Sequence, residues 1–228
     1  MDLLIFVPAV LVGYLFGAIP FGWIFVWLTK GLDLRQIQSG RTGGTNAMRA
    51  AGPIIGSLTA VGDVLKGAAA IWLARALFGP LVSEQLLPWV EVAVGASSIV
   101  GHNWSIFLGW RGGAGTGPNV GWAGAIWFPI VPIAIVVIVG MILWTGMASL
   151  ASLAMGAVIV IAFAILYATG VLVTPAYFIG AIATFLIVTW SLRGNIRRVF
   201  AGTERMVGPA ARRAERKQQR LKARRNEG

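Results

Sequence analysis

The only histidine in the chain, His102, stands in the stretch GHNWSIFLGWRGGAGTG at 101–117, and Arg111 and five glycines follow it within fifteen residues. An imidazole can give or take a proton near neutral pH. A guanidinium fork matches a phosphate with two parallel hydrogen bonds. Glycines let backbone N–H groups come close to a ligand. Arg111 with Gly112, Gly113, Gly115 and Gly117 is therefore a loop able to wrap a phosphate. A lone histidine can equally be a packed, hydrogen-bonded residue, and both readings stand at this level.

Two more polar islands interrupt otherwise apolar runs. RQIQSGRTGGTNAMRAAG, 35–52, offers the hydroxyls of Ser39 and Thr45, the amide of Asn46, the charges of Arg41 and Arg49, and the open backbone of Gly40, Gly43 and Gly44. These are parts for holding a phosphate, or simply a basic glycine-rich turn. DVLKG, 63–67, lies inside an apolar run. Asp63 and Lys66 are three apart and share a helix face. Charge inside a membrane span is costly and is paired or functional, so Lys66 either closes an internal ion pair or faces an anionic ligand with Asp63 holding it. Asn195, in LRGNIRRVFAGTE, is a fourth polar candidate.

The elements that must position these residues are set by composition. The chain is 57% hydrophobic and 12% charged, with a mean hydropathy of +0.78, against about a quarter charged in soluble domains. Runs at roughly 3–28, 53–78, 88–108, 119–145, 148–168 and 171–191 approach the ~20 residues that cross a bilayer as helix. Alternation suited to a barrel is absent. The net charge of +11 is concentrated, with 12 of the 19 Lys and Arg after residue 192. A basic tail beside a membrane domain reads as an anchor at anionic headgroups and not as a nucleic-acid surface. Cysteine is absent, which excludes disulfides and thiolate chemistry. The first apolar run lacks a basic start and a cleavage site and reads as a retained span.

Loop charge orients the chain. Lys30, Arg35, Arg41 and Arg49 put the first loop inside, Glu84 puts the next outside, and Arg111 and the tail fall inside. Three runs between Arg111 and the tail break the parity. Pro129 and Pro132 interrupt 119–145, and two short or partial helices there restore it. The expectation is an all-α polytopic membrane protein of seven transmembrane or partial helices. The N-terminus is outside and the C-terminus cytoplasmic, with a membrane domain over 1–208 and a basic tail over 209–228.

SGRTGGTNAMRAAG, DVLKG, GHNWSIFLGWRGGAGTG and NIRRVFAGTE, in that order, resemble the bacterial acyl-phosphate:glycerol-3-phosphate acyltransferase family, PlsY, from GAIPFGWIF at 17–25 to Gly208. The resemblance implies a bacterial inner-membrane enzyme with its site facing the cytoplasm. It moves a fatty acyl group from acyl phosphate to the 1-hydroxyl of glycerol 3-phosphate, giving lysophosphatidic acid and phosphate, with no cofactor and no metal. It implies catalytic roles for Ser39, Arg49, His102 and Asn195, and substrate contacts from Arg41, Gly43, Thr45, Asn46, Lys66, Arg111, Gly112 and Gly113. Partners are the two substrates and membrane lipids. The chain departs from the family pattern where Arg41 replaces an asparagine, Arg111 and Ala114 replace two lysines, and Thr116-Gly117-Pro118 replaces Val-Ala-Thr.

Acyl phosphate is already activated, so such a site must chiefly bring two anions together and orient a hydroxyl. Arg41, Arg49, Lys66 and Arg111 would offset phosphate repulsion, and N–H groups near Gly112 and Gly113 would stabilise an oxyanion. His102 is either a base or a binding group. The His-x4-Asp pair of other glycerol-phosphate acyltransferases is absent, with Phe107 at the fifth position beyond it. A transporter or binding protein for an organic phosphate, or a family member that binds without turnover, is the alternative expectation.

Overall fold

The computed structural model describes residues 2–211. Among them ten α-helices and four short 3₁₀ segments make up the regular structure, with no strand.

The first apolar run is one path, Phe6–Lys30, in two pieces: α1 (Phe6–Ala18) and α2 (Phe21–Lys30). Pro20 has no N–H and its ring disfavours helical geometry at the residue before it. Ile19 accordingly turns out to ψ 117. The span expected over roughly 3–28 is thus present as one path, Phe6–Lys30, with a break that leaves the carbonyls of Ala18 and Ile19 needing donors from elsewhere.

The first polar island leads into α3 (Gly44–Ala51), and α4 (Pro53–Phe78) carries the DVLKG stretch. α5 (Leu87–Asn103) ends earlier than the expected 108, and α9 (Ala176–Ser191) starts later than 171, at Pro175, which occupies the N-cap. The run 119–145 does divide, into α6 (Thr116–Ile126) and α7 (Ile130–Thr145). Pro129 precedes α7 and Pro132 lies in its first turn, where a missing N–H costs nothing. α8 (Ala148–Ala168) is continuous, and α10 (Arg193–Phe200) bends 64° away from α9. Phe6–Lys30, Pro53–Leu81 and Ala148–Ala168 are long and apolar enough to cross a membrane, as is α9 with α10 if that bent pair counts as one span.

α1 packs along α5, and α6 along α4. Both contacts depend on small residues that let backbones approach. A Cβ at Gly17 would run into the Ser98 carbonyl, and one at Gly121 into the Val64 carbonyl. Trp122 of α6 is fully buried, edge-on to Phe163 of α8 at 5.6 Å, with its indole N–H donating to Asn119 Oδ1 at 2.8 Å. This packing draws the start of α6, the end of α5 and the middle of α4 together, beside the break between α1 and α2. From residue 212 the basic tail lies outside the described residues.

Candidate active site

The first and third polar islands meet. The Thr42 N–H donates to the Gly112 carbonyl at 3.3 Å, Arg41 Nη1 to the Gly113 carbonyl at 2.7 Å, and Arg35 Nη1 to the Leu108 carbonyl at 3.3 Å. The two non-glycine residues with positive φ among those described, Gln38 and Trp110, lie one in each loop. Backbone strain of this kind persists where surrounding contacts over-determine the chain, and it collects at sites.

DVLKG joins them from below. Lys66 Nζ lies 2.8 Å from Asp63 Oδ1, 2.9 Å from His102 Nδ1 and 2.7 Å from the Ile19 carbonyl. All three side chains are buried. An ammonium has three N–H donors, and three acceptors surround this one. Of the two expectations for Lys66, the internal ion pair is the contact seen: its donors reach the protein, one of them the carbonyl that Pro20 exposes. Asp63 Oδ1 is 3.5 Å from His102 Nδ1, farther than Lys66, so Nδ1 accepts from the ammonium. The imidazole proton then sits on Nε2. Nε2 has no hydrogen-bond partner among the described residues and abuts Gly113, where any Cβ would collide with the ring.

Arg41 is a clamp. Besides Gly113, Nη1 donates to Ser191 Oγ at 3.2 Å, and Nη2 donates to the Ser191 carbonyl at 2.6 Å and to Asn195 Oδ1 at 3.1 Å. Its four terminal N–H groups are thus engaged by neighbouring segments. Asn195 passes the contact on, its Nδ2 donating to Glu204 Oε1 at 2.8 Å. Glu204 also accepts from Ser149 Oγ at 2.9 Å and from Arg198 Nε at 3.0 Å. Asn195 is buried in this relay. Asn46 lies in the same polar island, and its Oδ1 has no partner among the described residues. Buried, it donates through Nδ2 to the carbonyls of Leu34, Ile37 and Arg41 at 3.2, 2.9 and 2.8 Å, stapling its own loop. The Gly113 N–H donates to the His102 carbonyl at 2.9 Å, so the expected oxyanion donor at 113 is taken.

The remaining candidates keep free valence. Ser39 is half-buried, and its Oγ makes one long contact, 3.4 Å from the Arg41 N–H. Gly43 is the N-cap of α3 and faces open space. Thr45, half-buried, lies in the first turn of α3. Arg49 is half-buried and donates to the Met206 carbonyl at 3.3 Å, and Arg111 is exposed. Gly112 offers its carbonyl to Thr42. Burial lowers the pKa of Arg41 and of Arg49 from the usual guanidinium range, helped by Arg198 at the first and Arg205 at the second; both stay charged.

Three participants were not among the sequence candidates. Glu204 ends the NIRRVFAGTE stretch, and a single acid among Arg193, Arg197, Arg198 and Arg205 was the available signal. Ser191, on an apolar helix, gave none. Asn103 is 5% exposed, and both its amide atoms lack partners among the described residues, beside Gly115. Gly115 holds φ +85 at the N-cap of α6, a conformation that favours glycine. Among the described residues no three His, Asp or Glu side chains converge as a metal site requires.

A bundle of apolar helices in which two basic, glycine-rich loops meet over a buried Asp–Lys–His cluster defines a class: a helical membrane protein with a polar site at one end. Comparison narrows it. The family model for glycerol-3-phosphate acyltransferase matches residues 7–202, and the chain belongs to that family. It is 37% identical over 204 residues to a glycerol-3-phosphate acyltransferase of Rubrobacter xylanophilus, covering 87% of this chain and 94% of that one. Its identity to the enzyme of that name from Synechococcus sp. CC9902 is 34% over 196 residues, 86% and 92% of the two chains. The crystal structure of PlsY, an integral membrane glycerol 3-phosphate acyltransferase, in its glycerol 3-phosphate form superposes with a TM-score of 0.75 at 32% identity, covering 89% of this chain and 96% of that one.

Proposed function

We propose that this protein is an integral membrane enzyme that transfers an acyl group to the 1-hydroxyl of glycerol 3-phosphate, with acyl phosphate as donor. Lysophosphatidic acid and inorganic phosphate are the products. The observation that carries the reading is the direct joining of the 35–52 and 101–117 loops over a buried Asp63–Lys66–His102 cluster, in a chain of this family. A second PlsY structure, the lysophosphatidic acid form, is similar at TM-score 0.74 and 30% identity, covering 90% of this chain and 97% of that one.

In the reaction the glycerol oxygen forms a bond to the acyl carbonyl carbon, and the bond from that carbon to the phosphate oxygen breaks. The hydroxyl proton leaves with the phosphate, so atoms and charge balance without a cofactor. Arg49 and Arg111 hold the two anions, with Gly43 and Thr45 at the start of α3. Ser39 orients the hydroxyl. His102 donates from Nε2 to an anionic oxygen rather than taking a proton, since its Nδ1 is already an acceptor. Arg41, Asn46, Lys66 and Asn195 position these groups. Orientation of this kind supplies roughly 7–11 kcal/mol in favourable cases. The α1–α2 path with α4, α5, α6, α7, α8 and α9 supports seven spanning or partial elements. The same reading puts the N-terminus outside, the site at the cytoplasmic face of a bacterial inner membrane, and a separate basic tail after 208.

The test is phosphate release by purified protein given palmitoyl phosphate and glycerol 3-phosphate, with palmitoyl-CoA as control donor. Turnover is expected with the first donor alone. No turnover, together with uptake of labelled glycerol 3-phosphate into proteoliposomes, would make this a transporter. His102→Gln should keep turnover within about tenfold, because glutamine still donates. A far larger loss of kcat at unchanged KM would make His102 the base.

A further inference from the structure

α10 has two faces. Asn195 and Arg198 look inward to Glu204, whereas Arg193 and Arg197, one turn apart, are exposed on the other side. That outer side closes a groove of about 680 Å³ between the ends of α5 and α9. Its walls include Val100, Leu186, Ile187 and Ile196, with Trp104 and Trp190 beside the two arginines. The Arg193 guanidinium lies 4.8 Å from the Trp190 ring centre, and Nη1 donates to the Trp190 carbonyl at 2.9 Å. Among the described residues neither Arg193 nor Arg197 has an acidic partner. Leu186 and Trp190 are 59% and 62% exposed, which in a membrane-embedded helix means exposed to lipid.

We propose that this groove binds one anionic phospholipid of the surrounding leaflet. An acyl chain lies along the apolar walls, and the phosphate rests on Arg193 and Arg197. Three features choose this occupant. The groove has the size of a site for one small amphiphile. Its charge is wholly positive and confined to one end. Tryptophans stand at that end, as they do at headgroup level in membrane proteins. On α10 the groove and the Arg41–Glu204 contacts use different faces, since Asn195 and Arg198 point away from Arg193 and Arg197. The occupant therefore bears on the short helix that carries Asn195. The proposal rests on the membrane placement given above but not on the acyl-transfer chemistry.

The test uses full-length protein in detergent with mixed micelles of phosphatidylglycerol and phosphatidylcholine, and native mass spectrometry to count retained lipid. Wild type should keep one phosphatidylglycerol in preference to phosphatidylcholine. R193Q/R197Q should bind it about tenfold or more weakly, as expected for two surface arginines. Ile187→Trp, which fills the groove and leaves the charges, should lose it too. Unchanged melting temperatures would show that both variants fold. Equal retention by R193Q/R197Q and wild type would place the lipid on the tail and overturn the proposal. So would equal retention of the two lipids, or displacement of phosphatidylglycerol by one equivalent of palmitoyl phosphate, which would give the groove to the donor. Lipid retention without acyltransferase turnover would sink the proposed function and leave the groove standing.

Discussion

α4 carries two clusters of buried charge, and they are completed in different ways. Toward its far end Arg75 Nε and Glu91 Oε1 of α5 form an ion pair. Tyr177 of α9 donates to Glu91 Oε2 at 2.6 Å, and Arg75 Nη1 donates to the Ala125 carbonyl of α6 at 3.1 Å. Each Glu91 oxygen has a partner, and the set ties four helices together. In the middle of α4, Asp63, Lys66 and His102 are buried more deeply than Arg75, whose side chain is 37% exposed, and the chain of contacts stops at His102 Nε2. The first cluster is closed and holds the bundle. The second ends in an imidazole nitrogen without a partner among the described residues, beside the glycine loop, where the proposed reaction places a substrate oxygen. Burial of charge alone does not separate structure from function; an open end does.

The comparison predicts opposite phenotypes. Glu91→Ala would leave Arg75 and Tyr177 without their acceptor inside the bundle. Arg75 is partly exposed, so the cost falls below the ~3–5 kcal/mol of a fully buried pair; a lowered melting temperature is expected, with normal turnover per folded molecule. Thermal unfolding in detergent and active-site titration separate the two. A soluble, stable Glu91→Ala protein with lost turnover would reverse the assignment. Asp63→Asn/Lys66→Met removes the other pair as a unit, and replacing a buried pair whole is often close to neutral for stability. Turnover should nonetheless fall, by about the tenfold set as the limit for His102→Gln, because His102 loses the donor that fixes its tautomer and pose. Gly113→Ala should act on the same group by a different route, forcing the ring aside, with a similar fall in turnover and a raised KM for the anionic substrate that His102 contacts.

These contrasts also show what sequence could supply. Charge, glycine and hydropathy gave the membrane class, the three islands and the split near Pro129, because each follows from local chemistry. They did not distinguish a group that meets ligand from one that holds a neighbour. Arg41, Asn46 and Lys66 have the right types for phosphate, and here their donors reach acceptors of their own segment, for Asn46, or largely of others, for Arg41 and Lys66. The Ile19 carbonyl that takes a Lys66 donor exists only because Pro20 breaks the first helix, and nothing in DVLKG points to position 19. Ser191 carries no signal in an apolar helix, and its part becomes visible only with Arg41 beside it.

The smallest effect belongs at the rim, where an ion pair is open to water. The Asp33 carboxylate takes a two-point bond from Arg35, at 2.7 Å for its shortest contact, with further bonds from the Arg35 backbone N–H and the Trp23 indole. The Arg35 side chain is the chief cause holding the carboxyl pKa at about 2, against burial that would raise it. A carboxyl depressed in the folded state stabilises above its unfolded pKa, near 4, and loses that contribution as pH falls toward 2. The pair is partly exposed, so solvent limits it to about 1 kcal/mol or less. Asp33→Asn should therefore lower the melting temperature slightly at pH 7, and the difference from wild type should vanish near pH 2. Because Arg35 also donates to the Leu108 carbonyl, a loss of turnover larger than this stability change would mean that the rim pair sets the approach of the two loops, and the division between closed and open clusters would then need a third member.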